Sequence, residues 1–227
     1  MEQYTREVSA TATMQDDPTA RTLLFHAFER TARWPKDFPG FSAVLLGHDE
    51  GTIYRGTVKV LPPRSVEVSL PDPAMQQWAQ EQIASLVGHR VFRTFDQADG
   101  KYGLTLGPAD AHPLGQLIYI HGDGMNSRYR VRDERIWQIQ RTLPRVKFTI
   151  TIADTTTIQG DKILTSHFTV YFFAPDSGRL TQVESFADDY TEVAGVALPR
   201  SRQVAFAEDG DVRLRRLILD KHTLLGV

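Results

Sequence analysis

The stretch FSAVLLGHDEGTIYRGTVKVLPPRSVEVSL, residues 41–70, decides the fold class. It is rich in apolar and β-branched residues, and Gly51 and Pro62-Pro63 divide it into three segments. Apolar and polar residues alternate in the third segment, which is the period of a strand with one buried face. The stretch therefore predicts an antiparallel meander. Its predicted strands are 41–48, 52–61 and 64–70.

A helix is predicted on each side of this meander. Asp17-Pro18 has the pattern of an N-cap followed by proline at the first helical position, and helical spacing of apolar residues continues to about residue 33. Asp72-Pro73 repeats the signal, and we expect Gly88 to end the second helix. Because the second helix has one apolar face, it should pack against the sheet.

The chain after His89 has the pattern of strands joined by short turns. Connectors such as Gly160-Asp161 are typical of hairpins, not of crossovers that carry helices. The predicted strands are 90–95, 102–107, 115–121, 128–132, 135–142, 145–157, 162–173, 178–187, 196–206 and 211–219.

This order of elements leaves a closed barrel or a strongly curved open sheet, and the inserted helix favours the open sheet. The predicted fold class is α+β: a curved, mostly antiparallel β-sheet (half-barrel) with an N-terminal helix and one inserted helix covering the concave face. We expect residues 1–16 to form a flexible N-terminal tail and residues 17–227 to form a single half-barrel domain.

Composition excludes several classes of function. The chain has 227 residues and no cysteine, which excludes disulfides, thiolate catalysis, cysteine-ligated zinc and iron–sulfur clusters. A net charge of −2 gives no overall attraction to nucleic acid or to an anionic membrane. No secretory signal pattern is present, and no apolar run approaches the roughly 20 residues that span a bilayer. We therefore expect a cytoplasmic protein that is not membrane-integral.

Catalytic signatures are also missing from the sequence. It contains no Gly-x-Gly-x-x-Gly, no Walker A loop, no Gly-x-Ser-x-Gly and no His-Glu-x-x-His motif, and its histidines are not paired at metal-ligand spacing. Asp188-Asp189 is a poor acid/base pair, because adjacent strand residues point to opposite faces, and we interpret it as a solvated strand end. The sequence predicts no enzyme activity, no metal and no cofactor.

Arginine distribution is the strongest charge feature. Arg128, Arg130 and Arg132 share one face of a strand, and arginines recur between residues 200 and 216. If these strands are neighbours, they form a cationic face that can bind carboxylates or phosphates. The alternative is a charged outer face neutralised by nearby acids. We expect no aromatic side chains among these arginines, and therefore no nucleic-acid binding.

Aromatic residues are more numerous than one thin core layer requires, and those outside the core could line a cavity for an apolar ligand. Two arginines could hold an anionic head group at its rim. The candidate ligand-binding residues are Trp34, Phe41, Trp78 and Phe148 for the wall, and Arg128 and Arg130 for the rim.

Two resemblances extend this interpretation. The meander ending in GTVKVLP, residues 56–62, the inserted helix and the closing stretch YTEVAGVALPR, residues 190–200, are similar to the half-barrel of the Lol lipoprotein carriers. A closer resemblance, to an uncharacterised family of cyanobacteria and plastids, rests on three short stretches. They are FPGF at 38–41, HRVFRTF at 89–95 followed by Gly100-Lys101, and residues 190–199.

The second resemblance implies the fold and a photosynthetic context, and it offers no catalytic residues to transfer. Lol carriers act in the periplasm, and we expect no export signal in this chain. The resemblance to them therefore implies only the general property of their fold, a shielded apolar hollow. The leading expectation is a non-enzymatic binding or carrier protein for an apolar or amphipathic ligand such as a lipid, pigment or acyl chain. The alternatives are an accessory or assembly factor that docks on a larger, photosynthetic complex through a cationic sheet face, and a bilin lyase-like enzyme.

Overall fold

A computed structural model describes residues 16–208 and 210–226, with only the backbone described at Gln159. It contains two α-helices, α1 (Pro18–Arg30) and α2 (Pro73–Arg90), and three short 3₁₀ helices, Phe95–Gln97, Asp99–Lys101 and Gln159–Asp161. The strands of the described residues are β1 (Phe41–Asp49), β2 (Thr52–Leu61), β3 (Ser65–Ser69), β4 (Gly103–Leu106), β5 (Gln116–His121), β6 (Arg128–Arg132), β7 (Arg135–Thr142), β8 (Lys147–Thr157), β9 (Ile163–Phe173), β10 (Leu180–Val193), β11 (Val196–Glu208) and β12 (Asp211–Leu224).

All twelve described strands form one antiparallel sheet in the order β3-β2-β1-β12-β11-β10-β9-β8-β7-β6-β5-β4. The sheet is curved and does not close, because β3 and β4 remain as edges. The predicted α+β fold class is therefore confirmed. Of the predicted tail, only Asp16 lies within the described residues, and its carboxylate accepts a hydrogen bond from the Leu104 amide at 2.7 Å.

Both predicted helix starts are confirmed by their caps. The Asp17 carboxylate accepts a hydrogen bond from the Thr19 amide at 2.8 Å, and the Asp72 carboxylate accepts one from the Met75 amide at 2.7 Å. These contacts satisfy amide groups that have no partner inside the helix.

The predicted end of α2 and the strand predicted at 90–95 are wrong. Gly88 lacks the left-handed backbone conformation that ends a helix, and α2 continues to Arg90. A loop and a 3₁₀ helix then follow, and the Thr94 side chain caps that helix by accepting a hydrogen bond from the Gln97 amide at 3.3 Å. The other helix, α1, ends at Arg30, three residues before the predicted end.

Both helices cover the same face of the sheet, which we call the inner face. Gly47 of β1 leaves room for α2, since a Cβ atom there would lie 2.5 Å from Met75 Cε. The pairings between neighbouring strands carry this face across the sheet to Tyr129 on β6, which packs beneath α1. The opposite side of the sheet is the outer face.

The apolar core has two main clusters, one under each helix. The first joins α2 to β1, β2, β3, β11 and β12 and includes Phe41, Leu45 and Leu217. The second joins α1 to β4, β5 and β6 and includes Leu24 and Ile118. Between them, the middle strands carry a smaller cluster in which Phe186 is buried and the other aromatic members are only partly buried. This incompletely covered part of the inner face positions the site.

Candidate functional site

A cavity of about 510 Å³, which we call the inner cavity, lies on the inner face between the carboxyl ends of both helices and strands β6 to β9. Part of its wall is apolar and comes from α1, from these strands and from the loop before β6. These apolar lining residues are Phe28, Met125, Ile136, Ile139, Ile152 and Ile163.

The charged part of the lining is strongly basic. Asp99 is the one acidic residue that the structure assigns to this wall, against five lysine or arginine residues. The basic residues are Arg33, Arg64, Arg93, Lys101 and Arg141. They come from the end of α1, the β2–β3 turn, the segment after α2, a 3₁₀ helix and β7, so the fold gathers them from five separate parts of the chain.

Arg33 and Arg93 are held by the ends of the helices that precede them. Arg33 Nη1 donates to the carbonyls of Phe28 and Thr31 at 2.8 and 3.2 Å, and Arg93 Nη1 donates to the Gly88 carbonyl at 3.2 Å. Cations are favoured there because the last carbonyls of a helix have no internal partner. Burial and the nearby charge of Arg93 nevertheless lower the pKa of Arg33 to about 10, and burial lowers the pKa of Arg93.

Arg141 joins a short polar chain at the cavity wall. Its Nη2 donates to the hydroxyl of Tyr129 at 3.1 Å, and that hydroxyl donates to the Asp99 carboxylate at 3.5 Å. Burial, followed by the charge of Asp99, raises the pKa of Tyr129 to about 12. Burial also raises the pKa of Asp99 despite the arginines nearby. Arg141 Nε is buried and has no hydrogen-bond partner among the described residues.

His89 at the end of α2 also lines the inner cavity. Its surface is exposed to the cavity, but the surrounding protein and the charges of Arg202, Arg93 and Arg141 lower its pKa to about 4. His89 is therefore neutral at physiological pH, and the positive charge of the cavity comes from arginine and lysine.

The four predicted aromatic residues lie in two clusters outside the lining of the inner cavity. Trp34 and Phe41 are buried in the cluster under α2, with ring centroids 6.2 Å apart. Trp34 is fixed there by a hydrogen bond from Nε1 to the Ala197 carbonyl at 3.0 Å. Trp78 and Phe148 are both partly buried and pack against the smaller cluster on the middle strands.

The two predicted arginines lie on the outer face, opposite Tyr129 in the alternation of β6. Arg130 forms an ion pair with Asp110, with Nη2 and Oδ2 at 2.9 Å, and the guanidinium of Arg128 lies 5.3 Å from the ring centroid of Tyr119. The structure thus separates these arginines from the inner cavity by the thickness of the sheet.

Two expectations about the arginine strands are corrected. Strand β6 is separated from β11 and β12 by β7 to β10, so the arginine strands are not neighbours and form no continuous cationic face. Aromatic residues do accompany the outer-face arginines, since Tyr119 lies near Arg128, and Trp137 lies 5.5 Å from Arg132. These aromatic residues lie on neighbouring strands, where the sequence alone could not place them.

The expectation of a solvated strand end at Asp188-Asp189 is wrong for Asp188. Asp188 is buried on the inner face opposite Arg202, while Asp189 is exposed and points to the other face. Pairing between β10 and β11 brings an arginine to Asp188, which is why the carboxylate can be buried.

The residues that sequence reasoning missed are Arg33, Arg93 and Arg141. One signal was available for Arg141: in the alternation of β7 it shares a face with Ile139, and a cation beside an inward-facing apolar residue is unusual. Within the described residues, no group of three histidine, aspartate or glutamate side chains is placed to bind a metal ion. No described helix combines the length and apolar character needed to cross a membrane.

Comparison with known families adds one match. The model of a family described as "Protein of unknown function (DUF3386)" matches residues 15–225. No curated protein matches the chain.

Proposed function

We propose that this chain, which belongs to the DUF3386 family of proteins of unknown function, binds an amphipathic anion in the inner cavity and acts as a carrier or binding protein. The ligand would have an acidic head, a carboxylate or phosphate, and an apolar body such as an acyl chain. The observation that supports this is one cavity wall with five basic residues and one acid beside a wall of isoleucines.

The excess of basic residues in the lining would attract an anion. Arg33, Arg93 and Arg141 are partly buried, whereas Arg64 and Lys101 are exposed. A partly buried cation is stabilised by a partner of opposite charge, and only Asp99 supplies one within the described lining. Arg33 and Arg93 have helix carbonyls as acceptors, whereas Arg141 donates to the neutral hydroxyl of Tyr129. Arg141 is therefore the residue we propose as the main contact of the acidic head.

The apolar wall and the size of the cavity suit a small amphipathic molecule. Ile136, Ile139, Ile152 and Ile163 offer hydrocarbon surface next to the arginines. A volume of about 510 Å³ lies within the range of roughly 300–1,000 Å³ that is usual for small-molecule sites. Burial of the apolar body would supply binding energy at about 25 cal/mol per Å² of surface removed from water.

Two titratable groups of the described lining, Tyr129 and His89, support binding more than acid/base catalysis. A general acid or base works best with a pKa near the operating pH. The pKa of Tyr129 is about 12 and that of His89 is about 4, so both are neutral near pH 7 and neither exchanges a proton readily.

The experiment is a titration of the purified protein with cis-parinaric acid, a fluorescent fatty acid, together with native mass spectrometry of protein isolated from its own host. Arg141→Gln should weaken binding of the probe, because hydrogen bonds to a charged group contribute about 1.5–3 kcal/mol. Arg128→Gln, on the outer face, is the matched control and should bind like the unaltered chain. Equal affinity in both variants, or no binding by the unaltered protein, would refute the proposal.

A docking function is the second candidate. The observation that favours it is the pairing of exposed Arg128 and Arg132 with Tyr119 and Trp137 on the outer face. Reversing Arg128, Arg130 and Arg132 to Glu should abolish co-purification with a larger complex and leave parinaric acid binding intact. Unchanged co-purification would count against docking.

Four further expectations stay predictions. A bilin lyase-like activity would show as a spectral change when bilin is added to the protein. The photosynthetic context and the likeness to Lol carriers, taken from sequence resemblance, would be tested by the identity of the co-purified molecule. The expected cytoplasmic location would be tested by fractionating host cells.

A further inference from the structure

A second cavity, of about 420 Å³, adjoins the inner cavity at the end of α1, and we call it the Arg90 cavity. Phe28, Thr31, Arg33 and Arg93 line both cavities. Arg90 lines only this one, and Arg141 lines only the inner cavity. The two spaces can therefore be tested separately through these two arginines.

Arg90 is a buried cation that lacks a charged partner. Its relative exposure is 4%, and Nη2 donates to the Ala197 carbonyl at 3.3 Å. Nε and Nη1 are buried and have no hydrogen-bond partner among the described residues. No ion pair in the described part of the chain includes Arg90.

Arg202 shows what the fold provides for an equally buried arginine. Its side chain is 3% exposed, and its Nε and Nη2 both donate to the carboxylate of Asp188. Arg90 has instead two aromatic rings, with its guanidinium 6.0 Å from the ring centroid of Trp34 and 5.6 Å from that of Tyr190. These rings offer weak attraction and no hydrogen-bond acceptor for Nε and Nη1.

The rest of this lining is also more basic than acidic. Arg33, Arg93 and Lys162 accompany Arg90, against Glu29 and Glu192. Lys162 offers no acceptor to Arg90, since its ammonium group only donates hydrogen bonds, and its Nζ donates to the Glu29 main-chain carbonyl at 2.5 Å. An incoming anion would meet an excess of positive charge, and contact with the unused donors of Arg90 would require the buried guanidinium to turn toward the cavity.

We propose that the Arg90 cavity is a second binding site, for a compact oxyanion: a carboxylate or phosphate group that accepts hydrogen bonds from Arg90. A guanidinium matches both groups because its N–H donors lie in one plane. This site can be tested apart from the proposed carrier function, since Arg90 lines only this cavity, while Arg33 and Arg93 line both. A purely structural Arg90, held between Trp34 and Tyr190, would need no ligand.

The test is calorimetric titration with inorganic phosphate and with acetate at constant ionic strength. The unaltered chain should bind one of them saturably, and Arg90→Gln should lose about tenfold or more in affinity, as expected when hydrogen bonds to a charged group are removed. Arg141→Gln, the control, should keep this binding while it loses parinaric acid. Wild-type affinity in folded Arg90→Gln, or no saturable binding by the unaltered chain, would overturn the proposal.

A measurement without any variant covers the case in which Arg90→Gln does not fold. Crystals of the unaltered protein soaked in selenate, a phosphate-like anion, should show anomalous density within hydrogen-bond distance of Arg90. Density elsewhere only, or none, would overturn the proposal. Parinaric acid binding would be unaffected by that result, so failure of this site and failure of the carrier function are distinguishable.

Discussion

Arg202 and Asp188 form a doubly hydrogen-bonded ion pair between β11 and β10. The distances are 2.8 Å from Nε to Oδ1 and 2.6 Å from Nη2 to Oδ2, and the two side chains are 3% and 2% exposed. Arg202 Nη1 also donates to the main-chain carbonyl of Gln82 on α2 at 3.3 Å. The pair therefore connects the centre of the sheet to the inserted helix.

Replacing Asp188 should strongly destabilise the protein. Asp188→Asn leaves the buried charge of Arg202 without a counter-ion, and breaking a buried pair in this way costs about 3–5 kcal/mol. Urea denaturation followed by circular dichroism measures the change. Asp189→Asn, at the adjacent position, is the control. Asp189 is 59% exposed and 3.6 Å from Arg200, so we expect the free energy of unfolding to change by no more than about 0.5 kcal/mol. Similar losses in both variants would contradict this assignment.

Two glycines on neighbouring strands should respond differently to alanine. A Cβ atom at Gly56 would lie 1.7 Å from the main-chain oxygen of Ser69, so Gly56→Ala must push β2 and β3 apart. At Gly47 the obstacle is the flexible end of Met75, which can move. We expect Gly56→Ala to cost at least the roughly 1–3 kcal/mol typical of overpacking, and Gly47→Ala to cost less. Thermal unfolding of both variants decides the order, and the reverse order would refute it.

Removing the one acid of the described inner-cavity lining should strengthen anion binding. Asp99→Asn eliminates a negative charge that would repel the acidic head, and we expect a several-fold gain in affinity for parinaric acid. Asp110→Asn, which removes an exposed partner of Arg130 on the outer face, is the matched control and should change nothing. A loss of affinity in Asp99→Asn would mean that Asp99 contacts the ligand as an acceptor.

Asp99 should also affect the pH dependence of the protein's stability. Burial raises the pKa of Asp99 in the folded protein above its unfolded value, so ionisation is less favourable in the folded state. Stability should fall as pH rises from the ordinary pKa of an aspartate, 3.8, through the raised pKa of Asp99 in the folded protein. Asp99→Asn should remove this contribution. Denaturation of both proteins at a series of pH values provides the measurement, and an unchanged pH profile in the variant would contradict the assignment.

His89 should report ligand binding through its own titration. Its folded pKa of about 4 lies below the ordinary 6.5, so the unfolded chain binds more protons between these values and stability falls as pH decreases through that window. An anion in the inner cavity would offset the charges of Arg93 and Arg141, and the pKa of His89 should then rise. Histidine NMR titration with and without a fatty acid measures the shift, and a lowered pKa on binding would contradict the proposed ligand charge.

Local signals in the sequence predicted the helices and strands. Asp17-Pro18 and Asp72-Pro73 carry their capping chemistry within a few residues, and strand alternation identifies one buried face. The predicted helix end at Gly88 was wrong because glycine permits a helix to end but does not require it, and α2 continues to Arg90.

The site depends on contacts that are distant in sequence. Arg33, Arg93 and Arg141 come together only when the sheet curves and both helices pack against it. Their spacing in the sequence does not predict this proximity. Arg128 and Arg130 were easier to notice because they are close together, although alternation with buried Tyr129 places them on the other face. The partner of Asp188 likewise depends on the register between β10 and β11.

The position of β12 between β1 and β11 affects the order in which the chain can fold during synthesis. Strand β1 pairs with β2 at once, but Leu45 meets its other cross-strand neighbour only when Leu219 has been made. Until then, the apolar surfaces of α2 and β1 lack Leu217 and Leu219, two of the buried residues of their cluster. During synthesis, β1 and α2 are made before β12, so their apolar surface stays exposed until that strand is made and can associate with other chains in the meantime.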